Sequence, residues 1–180
     1  VSDGAVAAMP GEVALDESAA RAVLQRVLDP ELPLLSVVEL GIVRECRVAA
    51  DGEVEVVLTP TYSGCPATEA IAEAVELALL GAGAPRVALH WRLQPAWTTD
   101  WIGPAARETL RRHGIAPPSG AAAVEDGAAA RPLRLHRRDV ACPRCGQAGA
   151  ERLSAFGATA CKALYRCLGC REPFEYFKPI

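Results

Sequence analysis

Hydrophobic and polar positions recur along this chain with two periods, and each change of period marks a new element. From Ala20, the apolar residues Val23, Leu24, Val27 and Leu28 return at helical spacing, forming one face of a helix that Asp16 or Ser18 can cap. Asp29-Pro30 stops it, because a residue ahead of proline is pushed out of the helical region. A loop is expected over 31–40. The runs 41–48 and 53–58 are strand-like and flank Asp51-Gly52, a strong hairpin signal. Val54, Val56 and Leu58 point one way and the glutamates the other, so one sheet face is buried and one is wet. After a polar loop over 59–64, Pro66 sits where a second helix would begin, a position that suits proline. Ile71, Val75, Ala78 and Leu79 mark its buried stripe, and 81–85 ends it. Val87, Leu89, Trp91 and Leu93 alternate as a third strand, and 104–113 reads as a short helix closed by Gly114.

The order helix, hairpin, helix, strand describes an α/β (α+β) domain over 14–116, with a mixed three-stranded sheet and flanking helices. Residues 1–13, rich in Ala, Gly and Ser, read as a disordered tail. Residues 117–132 are dense in Ala, Gly and Pro without an apolar period and read as a linker. A second module is expected over 133–180.

Composition narrows the function classes. A hydrophobic fraction of 51% in 180 residues supports a packed core, although much of it is alanine. The formal net charge of −3 gives no global basic field to draw in nucleic acid. The run Arg131, Arg134, Arg137 and Arg138 reads as a solvated face. No stretch has the length of a membrane span. The first dozen residues show neither a basic nor an apolar leader segment, so a cytoplasmic protein is expected, with neither nucleic acid nor membrane as partner.

Seven cysteines are an odd number for a disulfide framework, and four fall in two C-x-x-C pairs, Cys142/Cys145 and Cys167/Cys170, separated by 21 residues. Each such turn brings two thiolates to one ion, and two turns complete a tetrahedral four-sulfur shell. The gap exceeds the usual spacing, and a longer β-hairpin arm between the knuckles would absorb it. A zinc ribbon is expected, its structural zinc closed to substrate; the same four thiolates also suit iron or an iron–sulfur cluster. So small a module needs its metal to fold. Cys161 lies between the knuckles and is not needed for four-coordination. It reads either as a buried small residue or as an exchangeable ligand or partner contact. Phe174, Tyr176 and Phe177 are expected to pack the ribbon.

Cys65 precedes Pro66 at the expected helix start, where backbone N–H groups and the helix dipole favour a thiolate. Thr59, Thr61 and Gly64 share its loop. The bland reading is an inert capping cysteine, and spacing does not separate the two. Cys46 sits mid-strand and reads as core. Asp29 and Glu31 could bind a cation or work as acid and base. His90, His113 and His136 have no ligand spacing with a cysteine pair, and no Ser/His/Asp order, phosphate loop or dinucleotide fingerprint occurs. These absences argue against a self-sufficient enzyme. Trp97 and Trp101 flank a loop that could dock a partner.

The stretches Asp29-Pro-Glu-Leu-Pro-Leu-Leu-Ser-Val-Val-Glu-Leu-Gly-Ile-Val43 and Thr59-Pro-Thr-Tyr-Ser-Gly-Cys65-Pro66 resemble the two signatures of the small metal–sulfur cluster assembly domain. The stretches Phe156-Gly-Ala-Thr-Ala-Cys161-Lys162, Cys170-Arg-Glu-Pro-Phe174 and Trp97-Thr-Thr-Asp-Trp101 are similar to one branch of it, the D components of bacterial phenylacetyl-CoA epoxidase systems. The resemblance implies an accessory component in aerobic phenylacetate degradation. It would help assemble iron or iron–sulfur centres in a di-iron oxygenase or its reductase, which would be its partners, with a homo-oligomer left open. It implies a reactive or cluster-transferring thiol at Cys65, an acidic loop at Asp29 and Glu31, supporting hydroxyls at Thr59 and Thr61, and iron or an iron–sulfur cluster bound in passing. The alternative is an integral redox or docking component with a metal or cluster in its ribbon. One departure is visible: the branch ends in Phe-Lys-Cys-Ile, and here Pro179 stands before Ile180.

Overall fold

A computed structural model describes residues 15–62, 64–119 and 140–180. The tail expected at 1–13, most of the expected linker and the arginine run 131–138 lie outside the described residues. Helix α1 (Glu17–Leu24) starts on Asp16, whose carboxylate accepts the Ala19 N–H at 2.7 Å, as the sequence predicts. It buries Ala20, Val23 and Leu24 and ends before Val27. Leu28, expected on the same helical face, instead enters strand β1 (Leu28–Asp29) and is half exposed.

Strand β1 pairs antiparallel with β2 (Leu32–Ser36), within the region expected to be loop. Pro33 blurs the strand pattern there; it sits at an exposed position, where a missing donor does little harm. Strands β3 (Val43–Val48), β4 (Val54–Leu58) and β5 (Val87–Trp91) form the central sheet in the order β3-β4-β5. The first pair is antiparallel and the second parallel, the mixed three-stranded sheet expected. Helix α2 (Thr68–Gly81) makes the crossover and lays Ile71, Val75 and Leu79 on the core, where they meet the fully buried Val54, Val56 and Leu58.

A 3-10 turn (Thr99–Trp101) and helix α3 (Pro104–Arg112) follow. Arg107 ties this region together by donating to the carbonyls of Thr99, Ile102 and Pro118 at 2.7, 2.9 and 2.6 Å. Gly41 adopts φ +72°, and a Cβ there would lie 2.8 Å from Trp101 Cβ, so only glycine fits.

The second sheet has the order β6-β9-β8-β7, built from β6 (Ile115–Ala116), β7 (Ala150–Ser154), β8 (Lys162–Cys167) and β9 (Pro173–Phe177). The β7–β8 hairpin occupies the long gap between the knuckles. Strand β6, from the end of the first module, runs parallel to β9 of the ribbon. Strand β9 has two faces. Phe174 and Tyr176 pack into a small core with Cys142 and Cys167, whereas Phe177 belongs to the large core of the first module. Its ring centroid lies 6.2 Å from that of Trp97, and the Trp97 indole N–H donates to the Leu40 carbonyl at 2.9 Å. Ile180 and Thr99 add a backbone hydrogen bond of 3.1 Å. The ribbon is therefore packed on the first module. Of the two tryptophans considered as a docking surface, Trp97 is buried, and Trp101 is half-buried under the Arg44 guanidinium at 3.5 Å.

Candidate functional site

The two knuckles bring the sulfurs of Cys142, Cys145, Cys167 and Cys170 to within 4.8 Å of one another. The Cys142–Cys170 and Cys145–Cys167 separations are 3.7 Å each. Four thiolates about 2.3 Å from a central zinc stand about 3.8 Å apart in a tetrahedron, so the quartet has the dimensions of a four-sulfur metal shell. Turn geometry creates it: Gly146 takes φ +74° and its N–H donates to the Cys142 carbonyl at 2.9 Å, while Arg171 at φ +67° closes the second knuckle on the Cys167 carbonyl at 3.1 Å. Without an ion the four sulfurs compete for protons. The backbone N–H of Cys170 leads the groups that pull Cys167 down to about 6. At Cys170 the Glu172 N–H pulls downward, but burial and the neighbouring sulfurs outweigh it and push that thiol up to about 12. A divalent cation resolves this conflict by taking all four as thiolates.

Cys65 lies on the loop between β4 and α2, 9% exposed. The helix starts later than Pro66 suggested: Ala67 is the residue before the first turn, and the Thr68 hydroxyl donates to the Cys65 carbonyl at 3.1 Å. The thiol is therefore set back from the helix end. Burial pushes the Cys65 thiol up, against the pull of the Ala67 N–H and the Thr61 hydroxyl. The sequence pattern predicts the reverse, a thiol lowered by the helix terminus; desolvation wins because the sulfur sits within the core. Thr59 is buried and its hydroxyl has no hydrogen-bond partner among the described residues.

The acidic loop is at the same place. Asp29 is buried, accepts the Glu31 N–H at 2.9 Å and is pushed up by burial. Glu31 is raised by burial and by the charge of Asp29. The charges of both residues are felt at Cys65, so the two carboxylates lie within electrostatic range of the thiol, and the Thr61 hydroxyl hydrogen-bonds to it. It leaves the metal quartet as a separate centre. Cys46 is buried in β3, as expected.

Sequence reasoning missed three residues here. Tyr62 is influenced by Cys65, Glu31 and Cys161 together. Lys162, only 4% exposed, carries a buried charge felt at Asp29, Glu31 and Cys161. Its ammonium pairs with Glu175 at 2.7 Å, and Glu175 also accepts the Ala158 N–H at 2.8 Å. Burial pushes Glu175 up, but these two donors outweigh it and hold the carboxyl below its usual range. The sequence signal was present in Phe156-Gly-Ala-Thr-Ala-Cys161-Lys162: a Cβ on Gly157 would stand 2.7 Å from Glu175 Oε1.

Among the described residues no helix is long and apolar enough to cross a membrane. Comparison with known proteins agrees with this anatomy. Residues 17–88 match the family of iron-sulfur cluster assembly proteins, and residues 127–178 match the PaaD zinc beta ribbon domain. A solved structure described as a domain of unknown function, DUF59, from Bacillus anthracis is 25% identical, with a TM-score of 0.49 over 52% of this chain and 90% of that one. An Fe-S protein maturation auxiliary factor of Porphyromonas gingivalis is 34% identical over 46% of this chain and 79% of its own length. The two family matches and the sulfur quartet define an iron–sulfur cluster assembly domain joined to a four-cysteine β-ribbon. A protein of Escherichia coli (strain K12) that is named as the D component of a 1,2-phenylacetyl-CoA epoxidase is 47% identical over 88% of this chain and 90% of its own length. The chain belongs to that family, the D components of phenylacetyl-CoA epoxidases.

Proposed function

We propose that this chain is an accessory component of a phenylacetyl-CoA epoxidase system. In this reading it matures the oxygenase or its reductase by carrying iron, or an iron–sulfur unit, through Cys65. The observation that carries the reading is the placement of Cys65 within electrostatic range of two carboxylates, on a cluster-assembly domain, in a chain 47% identical to a named epoxidase component. The cargo is substrate here. A thiol with a raised proton affinity binds it only by losing that proton, so capture and release are both proton-linked. Asp29 and Glu31 supply negative charge for a cation, and Thr61 donates to the thiolate that forms. The partners are the other epoxidase subunits, and the setting is the cytoplasm.

The ribbon quartet holds zinc in this reading. Four thiolates fill its shell and leave no position for substrate, so its part is to fold and dock the second module. The modules divide at 14–116 and 133–180, with 1–13 as tail and 117–132 as linker.

The test is Cys65→Ser co-expressed with the other epoxidase proteins. Iron content and epoxidation rate of the purified oxygenase should fall to the level found without this chain. Full iron content and full activity with the serine variant overturn the proposal.

A further inference from the structure

Among the described residues, every sheet edge but one carries a device that hinders pairing with another chain. Strand β3 closes one side of the central sheet with Arg44, Glu45 and Arg47 and an irregular register between Val43 and Glu45. Strand β7 closes the ribbon sheet with Glu151 and Arg152 and a second irregularity before Ser154. Strands β1 and β6 are two residues long, and β2 holds Pro33. The remaining edge is β5, Val87-Ala-Leu-His-Trp91, which has no acid, lysine, arginine, proline or glycine and an unbroken register on β4. Trp91 and, just beyond it, Leu93 are exposed.

Hydrogen bonding shows which groups this edge leaves over. The Val54 N–H donates to the Arg86 carbonyl at 3.0 Å, and the Arg92 N–H donates to the Leu58 carbonyl at 2.8 Å. Bonding direction alternates along a strand, so Arg86, Ala88, His90 and Arg92 bond to β4. The N–H and C=O groups of Val87, Leu89 and Trp91 therefore point outward. Their side chains share a sheet face with Val54, Val56 and Leu58, and Val87 and Leu89 pack on the core.

We infer that β5 is the contact between two copies of this chain, paired antiparallel about a two-fold axis at Leu89 and joining their three-stranded sheets into one. The strand complements itself in this register. Leu89 faces Leu89 of the second copy, and Val87 faces Trp91, a β-branched residue against an aromatic one. These are the residues with free backbone groups, so each facing pair exchanges two hydrogen bonds. On the other sheet face Ala88 meets His90. Arg86 comes opposite Arg92, and each guanidinium is already paired within its own chain, Arg86 with Asp51 and Glu53 and Arg92 with Glu45. A two-fold contact uses the same patch on both sides, and this self-matching sequence selects a second copy over a foreign strand. Leu58 and Trp91 are register partners, so the chain leaves β4 for the Cys65 loop at the Trp91 end. The two-fold axis places the two Cys65 loops at opposite ends of the joined sheet. The inference is independent of the role proposed for Cys65.

The experiment uses the full chain with zinc supplied. Sedimentation equilibrium from about 1 to about 100 μM should show monomer passing to dimer, as a contact of this small extent requires. In the dimer, residue-resolved amide exchange at Val87, Leu89 and Trp91 should slow about tenfold or more relative to the dilute chain, while Ala88 and His90, already bonded to β4, change little. Trp91→Lys sets a charge against Val87 of the second copy. Val87→Pro removes one outward N–H and leaves the bonds to β4 in place. Each should raise the dimer dissociation constant about tenfold or more. A chain that stays monomeric throughout the range overturns the inference, as does a dimer whose Val87, Leu89 and Trp91 amides exchange at the monomer's rate. Two folded variants that dimerise like wild type overturn it too. Protection of β5 only when the other epoxidase subunits are added assigns the edge to a foreign strand and likewise overturns it. Where a variant loses its fold, exchange in the unaltered chain decides.

Discussion

Asp29, Cys65 and Cys161 all hold their protons more tightly than they would in water, and burial is the leading cause at each. Each is therefore costlier to ionise in the folded chain than in water. That has a cost in stability with a definite sign. A carboxyl whose pKa is raised by folding contributes fully below its unfolded value of about 3.9, and the contribution is lost as pH rises through the folded value. At neutral pH the ionised Asp29 therefore weakens the fold. Asp29→Asn keeps an oxygen to accept the Glu31 N–H and removes the charge. It should melt at a higher temperature than wild type at pH 7, and the difference should shrink as pH is lowered to below about 3.9, where the carboxyl is protonated in the folded and the unfolded chain alike. Scanning calorimetry across that range checks this; a variant that melts lower at pH 7 contradicts it. The same substitution should weaken metal capture, so stability and function pull in opposite directions at this residue.

At the scale of elements, Glu175 holds the turn between β7 and β8 through Lys162 and the Ala158 N–H. Truncating one partner of a buried pair leaves the other charge uncompensated, at a cost of about 3 kcal/mol. Lys162→Met should destabilise the chain by about that much and push Asp29 and Glu31 further up by removing the cation that offsets them. Denaturant unfolding of Lys162→Met, Glu175→Gln and the double variant measures it. A double variant no better than the sum of the singles would show that the two charges do not interact. Much at this scale was legible in the sequence. The α1 stripe, the Asp51-Gly52 hairpin, the buried face of β4 and the four knuckle cysteines all rest on local period or fixed spacing. The errors also have local causes: Leu28 continued a helical period into a strand, Pro33 hid β2, and Pro66 marked the α2 start two residues early, which misjudged the Cys65 thiol. What could not be read is long-range. Nothing in the order of residues places Cys161 against Cys65's module, pairs β6 with β9, or sends Phe177 to Trp97.

For the whole molecule, those long-range links make the ribbon metal a determinant of the first module. Removing it should unfold the ribbon and withdraw Phe177, exposing the Trp97 indole that it covers. Chelation under mild conditions should therefore shift tryptophan emission to longer wavelength in step with metal release. Emission that stays constant while the metal leaves would show that the modules part without consequence for the core.

The two-faced strand β9 also sets an order on synthesis. Its Phe177 belongs to a core whose other members lie between residues 20 and 115, so those residues emerge from the ribosome well before the last piece of their core exists. Domains otherwise fold as they emerge, N-terminal first. Here a nascent first module waits with the slot beside Trp97 unfilled until the knuckles have closed on their ion behind it. The closing of the ribbon thereby serves as the last step of the first module's own folding: a chain whose knuckles have not closed lacks the ring that covers Trp97.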